Sequence, residues 1–381
     1  MNFAFVCHLD PEIVATWSGT PNSIIKNLRK LGHSVTCVCP RDSSWHLGTR
    51  IKGRVYRHFF GKVYHAGRSP SVFRRRSKAV NKQLECLSGI DYVLVIFPVD
   101  AAFLKSEKPI AIIHDATWHQ LLDFYPGLER NILATESITD GHAMDQAALS
   151  NCTKAVYFST WAGNSAIHDM HCDERKIRAI VPGANLSASP TKFAVSEFLK
   201  SRPKDRCHLL FVGQDWTRKG AGKAVAITQC LNGLGTPAEL YIVGCRPPEG
   251  ESLPGFVHIL GFLDKNSPAD RQTIECLFAT SHFLILPTAA DCSPIVLCEA
   301  AAFGLPCLAH DVGGIASIVQ SGKTGQLFNL TSEPEVWAQW LHKTFADPEI
   351  YSQLAIGALE DAHIRLNWES FCKEFVEFLR S

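Results

Sequence analysis

The sequence predicts an α/β protein made of two doubly wound parallel sheets, one in each half of the chain. Three observations carry this expectation. The chain has 381 residues, more than one hydrophobic core usually organises, so two domains are expected. Short apolar runs bounded by turn residues recur from end to end. Amphipathic helical patterns separate those runs, the alternation that produces parallel sheets with crossover helices.

In the first half the strands read as FAFVC (Phe3 to Cys7), VTCVC (Val35 to Cys39), YVLVIF (Tyr92 to Phe97), IAIIH (Ile110 to His114) and AVYFS (Ala155 to Ser159). In the second half they read as HLLFVG (His208 to Gly213), LYIVG (Leu240 to Gly244), FVHIL (Phe256 to Leu260), FLILP (Phe283 to Pro287) and CLAH (Cys307 to His310). Residues 1–185 and 193–365 are therefore expected to form one domain each, joined by the polar stretch NLSASPTK from Asn185 to Lys192. Residues 366–381 contain the amphipathic pattern WESFCKEFVEFLRS, a closing helix whose apolar face is free to pack back on the first domain. No internal repeat or low-complexity tract interrupts this plan.

A hydrophobic content of 46% and a charged content of 20% describe a globular chain. No run approaches the roughly 18–20 apolar residues of a membrane span. The opening MNFAFVCHLD lacks a basic lead and reaches Asp10 too early for a signal peptide. A cytoplasmic location is expected. The 14 cysteines sit mostly inside apolar runs such as VTCVC, with no C-x-x-C pair, which fits buried thiols in a reducing compartment.

The net charge of +1 conceals an asymmetry, since residues 1–185 hold 22 Lys and Arg against 16 Asp and Glu, and the remainder hold 16 against 21. Residues 50–82 carry eleven Lys or Arg and no acid, with Arg74, Arg75 and Arg76 in a row. That segment is a candidate for peripheral contact with an anionic membrane or for meeting a phosphate-bearing acceptor, beside the plainer reading of a solvated basic face. Nucleic acid is the weaker reading, because aromatic interleaving is sparse, limited to residues such as Tyr56, Phe59, Phe60 and Phe73.

Ligands of open α/β sheets gather at the carboxyl ends of the strands, so the loops there hold the candidate site. After the first strand comes TWSGTPNSIIKNLRKLGHSV, in which Thr20 and Pro21 start a helix with Ile24, Ile25, Leu28 and Leu31 on one face and Gly32 at its end. Gly19 either lets the backbone approach a ligand at that helix's positive end or serves as a turn residue. After HLLFVG comes GQDWTRKGAGKAVA, where Arg218 and Lys219 precede a Gly-rich helix start. Two cations and free N–H groups there suit a diphosphate. The third loop, DCSPIVLCEAAAFGLP from Asp291 to Pro306, sets two carboxylates eight positions apart. Ser293 and Pro294 read as the capped start of a helix that ends at Gly304, with Asp291 before it and Glu299 inside it. An acid among alanines in a helix can accept both hydroxyls of a ribose, although without context it would be a surface acid.

Three motifs fail on spacing. SGKTG would need a glycine where Ser317 stands to be a phosphate-binding loop. HDMHC, from His168 to Cys172, has no second cluster to make a metal site. No G-x-S-x-G nucleophile elbow occurs.

Taken in order, SGTP, IVPGAN (Ile180 to Asn185), GQDWTRKG, the Asp291 to Pro306 segment and DVGGIASIVQSGKTGQLF (Asp311 to Phe328) resemble the motifs of family-4 retaining glycosyltransferases of GT-B fold. The resemblance runs over nearly the whole chain. It implies two Rossmann-like domains facing each other across a cleft, with an acceptor-binding domain at 1–185 and a nucleotide-sugar-binding domain at 193–365. It implies transfer of a sugar from a nucleoside-diphosphate sugar to a hydroxyl of a glycan, lipid-linked or small-molecule acceptor, with retention at the anomeric carbon. No metal and no cofactor is implied, the nucleotide sugar being a co-substrate.

By the same resemblance Glu299 binds the ribose, Asp291 approaches the sugar hydroxyls and Lys219 holds the diphosphate. The backbone from Ser293 through Pro294 and Ile295 to Val296 assists, and Gly19 lines the cleft. His114 resembles the N-domain histidine that touches the transferred sugar, so His114, Lys219 and Asp291 are the catalytic candidates. Trp118 and His119 would shape the acceptor pocket, Asn185 would act as a hinge, and the base would be read near Gly261 to Asp264. Gln214 stands where many members carry an arginine, with Arg218 as its substitute. Asp291 is one methylene shorter than the family's first glutamate, which leaves the donor sugar open. Two other functions fit this architecture: a nucleotide-sugar 2-epimerase, and a non-catalytic sugar-nucleotide or polyanion-binding module.

Overall fold

The structure, a computed structural model, describes residues 1–13, 16–40 and 46–381. The chain groups into two units, Met1–Val181 together with Trp368–Ser381, and Pro182–Asn367. It passes from one to the other at Val181, ahead of the polar stretch from Asn185 to Lys192, and returns at Trp368.

The first unit holds six parallel strands: β1 (Asn2–Val6), β2 (Ser34–Val38), β3 (Tyr92–Val95), β4 (Ile110–His114), β5 (Lys154–Tyr157) and β6 (Ile177–Ala179). Their order in the sheet is β2-β1-β3-β4-β5-β6, so the direction of winding reverses between β1 and β3. β4 is buried along its length and β1, β3 and β5 are buried past their first residue, as strands covered on both faces must be. Helix α1 (Thr20–Lys30) follows a left-handed Gly19, carries Pro21 in its first turn and buries Ile24, Ile25 and Leu28. Helices α2 (His46–Phe60) and α3 (Pro70–Glu85) come next. The closing helix Trp368–Arg380 belongs to this unit. Its Phe375 ring lies 6.3 Å from Phe3, and the Tyr92 hydroxyl donates to the Leu379 carbonyl at 2.7 Å.

The second unit repeats the plan with β7 (Cys207–Val212), β8 (Ala238–Val243), β9 (Val257–Gly261), β10 (Phe283–Leu286), β11 (Cys307–His310) and β12 (Gly325–Phe328). The sheet runs β12-β11-β10-β7-β8-β9, all parallel. Counted from β7 this is the strand order of a doubly wound dinucleotide-binding sheet, and its switch point falls between β7 and β10.

Each sheet has one strand beyond those expected from sequence, β6 and β12, and both are edges. Ile177–Ala179 is three residues long with no fully buried position. β12 opens on Gly325, where a Cβ would lie 1.9 Å from the Cys307 carbonyl oxygen. Neither offers the unbroken apolar run that marks a central strand.

Candidate functional site

In the second unit the loops after β7 and β10 leave adjacent strand ends at the switch point, where ligands of such sheets bind. After β7, Gly213 and the exposed Gln214 lead into the single turn Trp216–Lys219. Asp215 caps that turn by accepting from the Arg218 N–H at 2.8 Å. Gly220 follows in the left-handed region (φ 81°), and the helix Ala221–Gly233 begins. A Cβ at Gly220 would lie 2.1 Å from the Pro287 carbonyl oxygen, so only glycine lets this turn press against the end of β10. A Cβ at Gly213 would lie 3.0 Å from the Lys219 side chain; glycine there leaves room for the lysine stem.

Lys219 Nζ forms an ion pair with the Asp291 carboxylate, and both side chains are largely buried. Arg218 goes elsewhere. Its guanidinium donates to the Ala290 carbonyl at 2.8 Å and stands 3.7 Å from Asp215. Its own carbonyl accepts from the Ala289 N–H at 2.8 Å and the Thr288 hydroxyl at 3.1 Å. Sequence reasoning expects Arg218 and Lys219 to converge on one anion. The structure makes Arg218 the strap between the two loops and sets Lys219 beside Asp291.

The helix after β10 runs Ile295–Ala302, which corrects the expected start. Pro294 occupies the N-cap position with extended ψ, no side chain caps the helix, and the Ser293 hydroxyl turns back to donate to the Cys292 carbonyl at 2.7 Å. The N–H groups of Ile295 and Val296 still lack intrahelical acceptors, as in any first turn. They lie at the positive end of the helix.

One turn further on, Glu299 is only 2% exposed, so it is no surface acid. Its charge is met by Lys265 Nζ at 2.5 Å, from the loop that leads to the helix Pro268–Thr280. Sequence reasoning does not find Lys265, because 34 positions separate it from Glu299 and no local pattern links them.

A second unforeseen group lies behind the loop. His310 Nδ1 is 3.0 Å from the Thr288 carbonyl, and Lys223 Nζ is 3.0 Å from His310 Nε2. An ammonium only donates, so Nε2 is the acceptor and the proton sits on Nδ1, facing Thr288. Burial pushes the His310 pKa down, the Thr288 carbonyl opposes this and the Lys223 charge adds to it. The ring is thus neutral and anchors the strand end from which the Asp291 loop departs.

In the first unit Gly19 is the last of three consecutive left-handed residues, after Trp17 (φ 43°) and Ser18 (φ 57°). Non-glycine residues there store strain of about 1–3 kcal/mol each and need packing to hold them. The Trp17 ring supplies it by stacking on Phe158 at 5.5 Å and lying 5.4 Å from His114. His114 closes β4 and is buried. Burial pushes its pKa down to about 3, helped by the Arg68 charge and opposed by the Ile96 carbonyl. Its Nδ1 has no hydrogen-bond partner among the described residues.

Trp118 is buried beneath the Arg68 guanidinium, 4.5 Å from the ring, and its backbone N–H donates to Asp145 at 2.6 Å. His119 is half-exposed, 4.0 Å from Asp169. Two buried acids of this unit are each paired: Asp145 with Arg68 at 2.7 Å, and Asp100 with Arg76 at 3.0 Å and His8 at 2.7 Å. Gly19 and His114 therefore belong to one unit, and Lys219, Asp291 and Glu299 to the other. Among the described residues no three His, Cys, Asp or Glu side chains gather as a metal-ligand cluster.

Residues 200–347 match the family model of Glycosyl transferases group 1. The chain is 28% identical over 229 residues to a D-inositol 3-phosphate glycosyltransferase of Nocardioides sp., covering 55% of this chain and 49% of that protein. It is 24% identical over 270 residues to an alpha-D-kanosaminyltransferase of Streptomyces kanamyceticus, covering 62% of this chain and 68% of that protein. The chain spans about half the length of the inositol-phosphate relatives it matches, 49% and 50% in two further cases.

Among solved structures, sucrose-phosphate synthase from Thermosynechococcus elongatus superposes with a TM-score of 0.68 at 16% identity, covering 100% of this chain and 98% of that one. Anabaena HepE, in complex with UDP and glucose, superposes with a TM-score of 0.63 at 14% identity over 100% of both chains. These likenesses establish the fold. With residues 200–347 matched by that family model and both units built as Rossmann-like parallel sheets, the chain has the GT-B fold and is similar to the family-4 glycosyltransferases.

Proposed function

We propose that the chain is a retaining glycosyltransferase that moves a sugar from a nucleoside-diphosphate sugar to an acceptor hydroxyl. The observation that carries this reading is the Lys219–Asp291 pair at the β7/β10 switch point, with the buried carboxylate of Glu299 one helical turn beyond. As the bond between sugar and diphosphate breaks, negative charge grows on the leaving group. Lys219 and the N–H groups of Ile295 and Val296 meet that charge, so they bind the transition state more tightly than the ground state. These fixed positive groups are the reason no metal is invoked.

Glu299 accepts hydrogen bonds from the ribose hydroxyls with the carboxylate oxygen that Lys265 does not hold. Asp291 accepts from the sugar hydroxyls, and Gln214, Arg218, Ser293 and Pro294 shape the donor loops. In the other unit, neutral His114 offers an unpaired Nδ1 to a hydroxyl, and Gly19 gives close backbone approach. The acceptor attacks on the face from which the diphosphate leaves, and no protein carboxylate is assigned as a covalent nucleophile. Support for a nucleotide-sugar donor comes from HepE, which shares the fold and has been solved with UDP-glucose.

Incubation with UDP-, GDP- and ADP-sugars in the absence of acceptor tests the reading. Slow release of nucleoside diphosphate is the expected result. An isomerised donor would point to an epimerase, and thermal stabilisation without turnover to a binding module. Lys219→Ala and Glu299→Ala should each lower turnover strongly, and near wild-type rates in both would remove the basis for the site.

A further inference from the structure

Helix α2 wears its apolar side outward. Leu47, Ile51, Val55 and Phe59 recur every four residues, which places them on one stripe of the helix. They are 71%, 55%, 41% and 72% exposed. The inward side is polar by contrast. Thr49 is buried there, Lys52 pairs with Glu136, and the Tyr56 hydroxyl donates to Glu136 at 2.7 Å while its ring stacks on Tyr64. A helix on the surface of a globular unit ordinarily presents the opposite arrangement.

Arg50, Arg54 and Arg57 form a ridge along one flank of the outward stripe. All three are exposed, and none has an acidic partner among the described residues. They lie in the segment that carries eleven Lys and Arg and no acid. Lys52, Arg68 and Arg76 are neutralised internally by Glu136, Asp145 and Asp100. On the inward side of α2, Thr49 and Lys52 line a cavity of about 300 Å³ with Tyr64, Ser69, Ser71 and Arg75.

We infer that α2 docks the chain on an anionic lipid surface, with the Leu47–Ile51–Val55–Phe59 stripe in the interface and Arg50, Arg54 and Arg57 on lipid phosphates. Charge selects this occupant. A second copy of the chain would set one arginine ridge against another, and a nucleic acid has no use for an aliphatic stripe. A basic helix with an exposed apolar face matches the interior boundary and the headgroup layer of a bilayer at once. No helix among the described residues is long and apolar enough to cross a membrane, so the contact is one of lying on the surface. The inference stands apart from which sugar, if any, the chain transfers.

Co-sedimentation with sucrose-loaded vesicles tests it, using phosphatidylcholine alone and phosphatidylcholine mixed with phosphatidylglycerol. The full chain should partition to the mixed vesicles only, and less as salt is raised. Each arginine near such a surface is worth roughly fivefold in partitioning, so Arg50→Gln/Arg54→Gln/Arg57→Gln should weaken binding by roughly a hundredfold. Leu47→Ser/Ile51→Ser/Phe59→Ser should remove the part that survives high salt. Both triple variants change exposed side chains, so melting temperature and nucleotide affinity should stay at wild-type values.

Equal partitioning to both vesicle types, or to neither, would overturn the inference. So would unchanged binding of the arginine variant. Capture of single-stranded RNA without vesicle binding, or a concentration-dependent dimer that the serine variant dissolves, would assign the face to another partner and overturn it too.

Discussion

Replacing Lys265 by Met keeps the aliphatic stem and deletes the ammonium that meets the buried Glu299 carboxylate. The structure sets the size of the effect. Glu299 is 2% exposed and lies 2.5 Å from Lys265 Nζ, whose side chain is 36% exposed. Removing one partner of a fully buried pair costs about 3–5 kcal/mol. Water reaches the lysine here and takes over part of its role, so a loss of about 2 kcal/mol is expected. Glu299→Gln leaves the lysine able to turn to solvent and should cost less, about 1 kcal/mol. The double variant buries no unpaired charge and should be about as stable as Glu299→Gln alone, a coupling energy of about 2 kcal/mol.

Urea unfolding of the four proteins measures this, followed by a probe confined to the second unit, since two units need not unfold as one transition. Single effects that add to the double within about 0.5 kcal/mol would refute the argument that Lys265 neutralises Glu299. Nucleotide affinity on the same proteins separates stability from function. It should fall about 10- to 100-fold whenever Glu299 is replaced, through loss of charge-assisted bonds to the ribose.

Three other outcomes are expected. Gly220→Ala must place a Cβ 2.1 Å from the Pro287 carbonyl oxygen at a φ of 81°; calorimetry should show a loss of at least about 2 kcal/mol, and unchanged stability would mean the turn does not press on β10. His310→Asn retains a donor for the Thr288 carbonyl and should keep most of the turnover, whereas His310→Leu should lower kcat about tenfold with little change in KM. Equal losses in the two variants would show that the ring only fills space. His282 is held at a pKa of about 3 by burial, then by the Arg202 charge, with the Pro203 carbonyl opposing. It therefore takes up a proton on unfolding but not while folded, and stability declines as pH falls from about 6.5, by about 1.4 kcal/mol per pH unit for that group. His282→Asn should flatten urea midpoints measured between pH 7 and 5, and an unaltered slope would contradict the buried neutral ring.

The fold is legible in sequence where burial is two-sided. Ile110–His114 and Cys307–His310 appear as uninterrupted apolar runs with the bounds read from the sequence, because both faces of those strands are covered. Ile177–Ala179 and Gly325–Phe328 are sheet edges, short and half-open, and carry no such pattern. Thr20–Pro21 and Gly32 mark α1 correctly because proline and glycine fix backbone dihedrals locally. Ser293 misleads because its hydroxyl donates to the Cys292 carbonyl and does not cap the helix.

The candidate site is legible one residue at a time and not as a set. The Lys219–Asp291 pair joins loops 72 positions apart, and Lys265 reaches Glu299 from a third loop. Such pairings exist only once the strand order is known. The outward face of α2 is hidden for a related reason: a helical period shows that an apolar stripe exists, and only the packed unit shows which way it points.

The closing helix Trp368–Arg380 has a consequence for how the protein is made. Phe3 packs near Phe375, and the Tyr92 hydroxyl bonds the Leu379 carbonyl, so the first unit waits for Trp368–Arg380 to leave the ribosome. Pro182–Asn367 holds all of its strands in one continuous stretch and can fold while translation continues. A nascent chain halted before Trp368 thus pairs a finished second unit with a first unit whose apolar seam is open, and chaperones or proteases would meet the protein in that form.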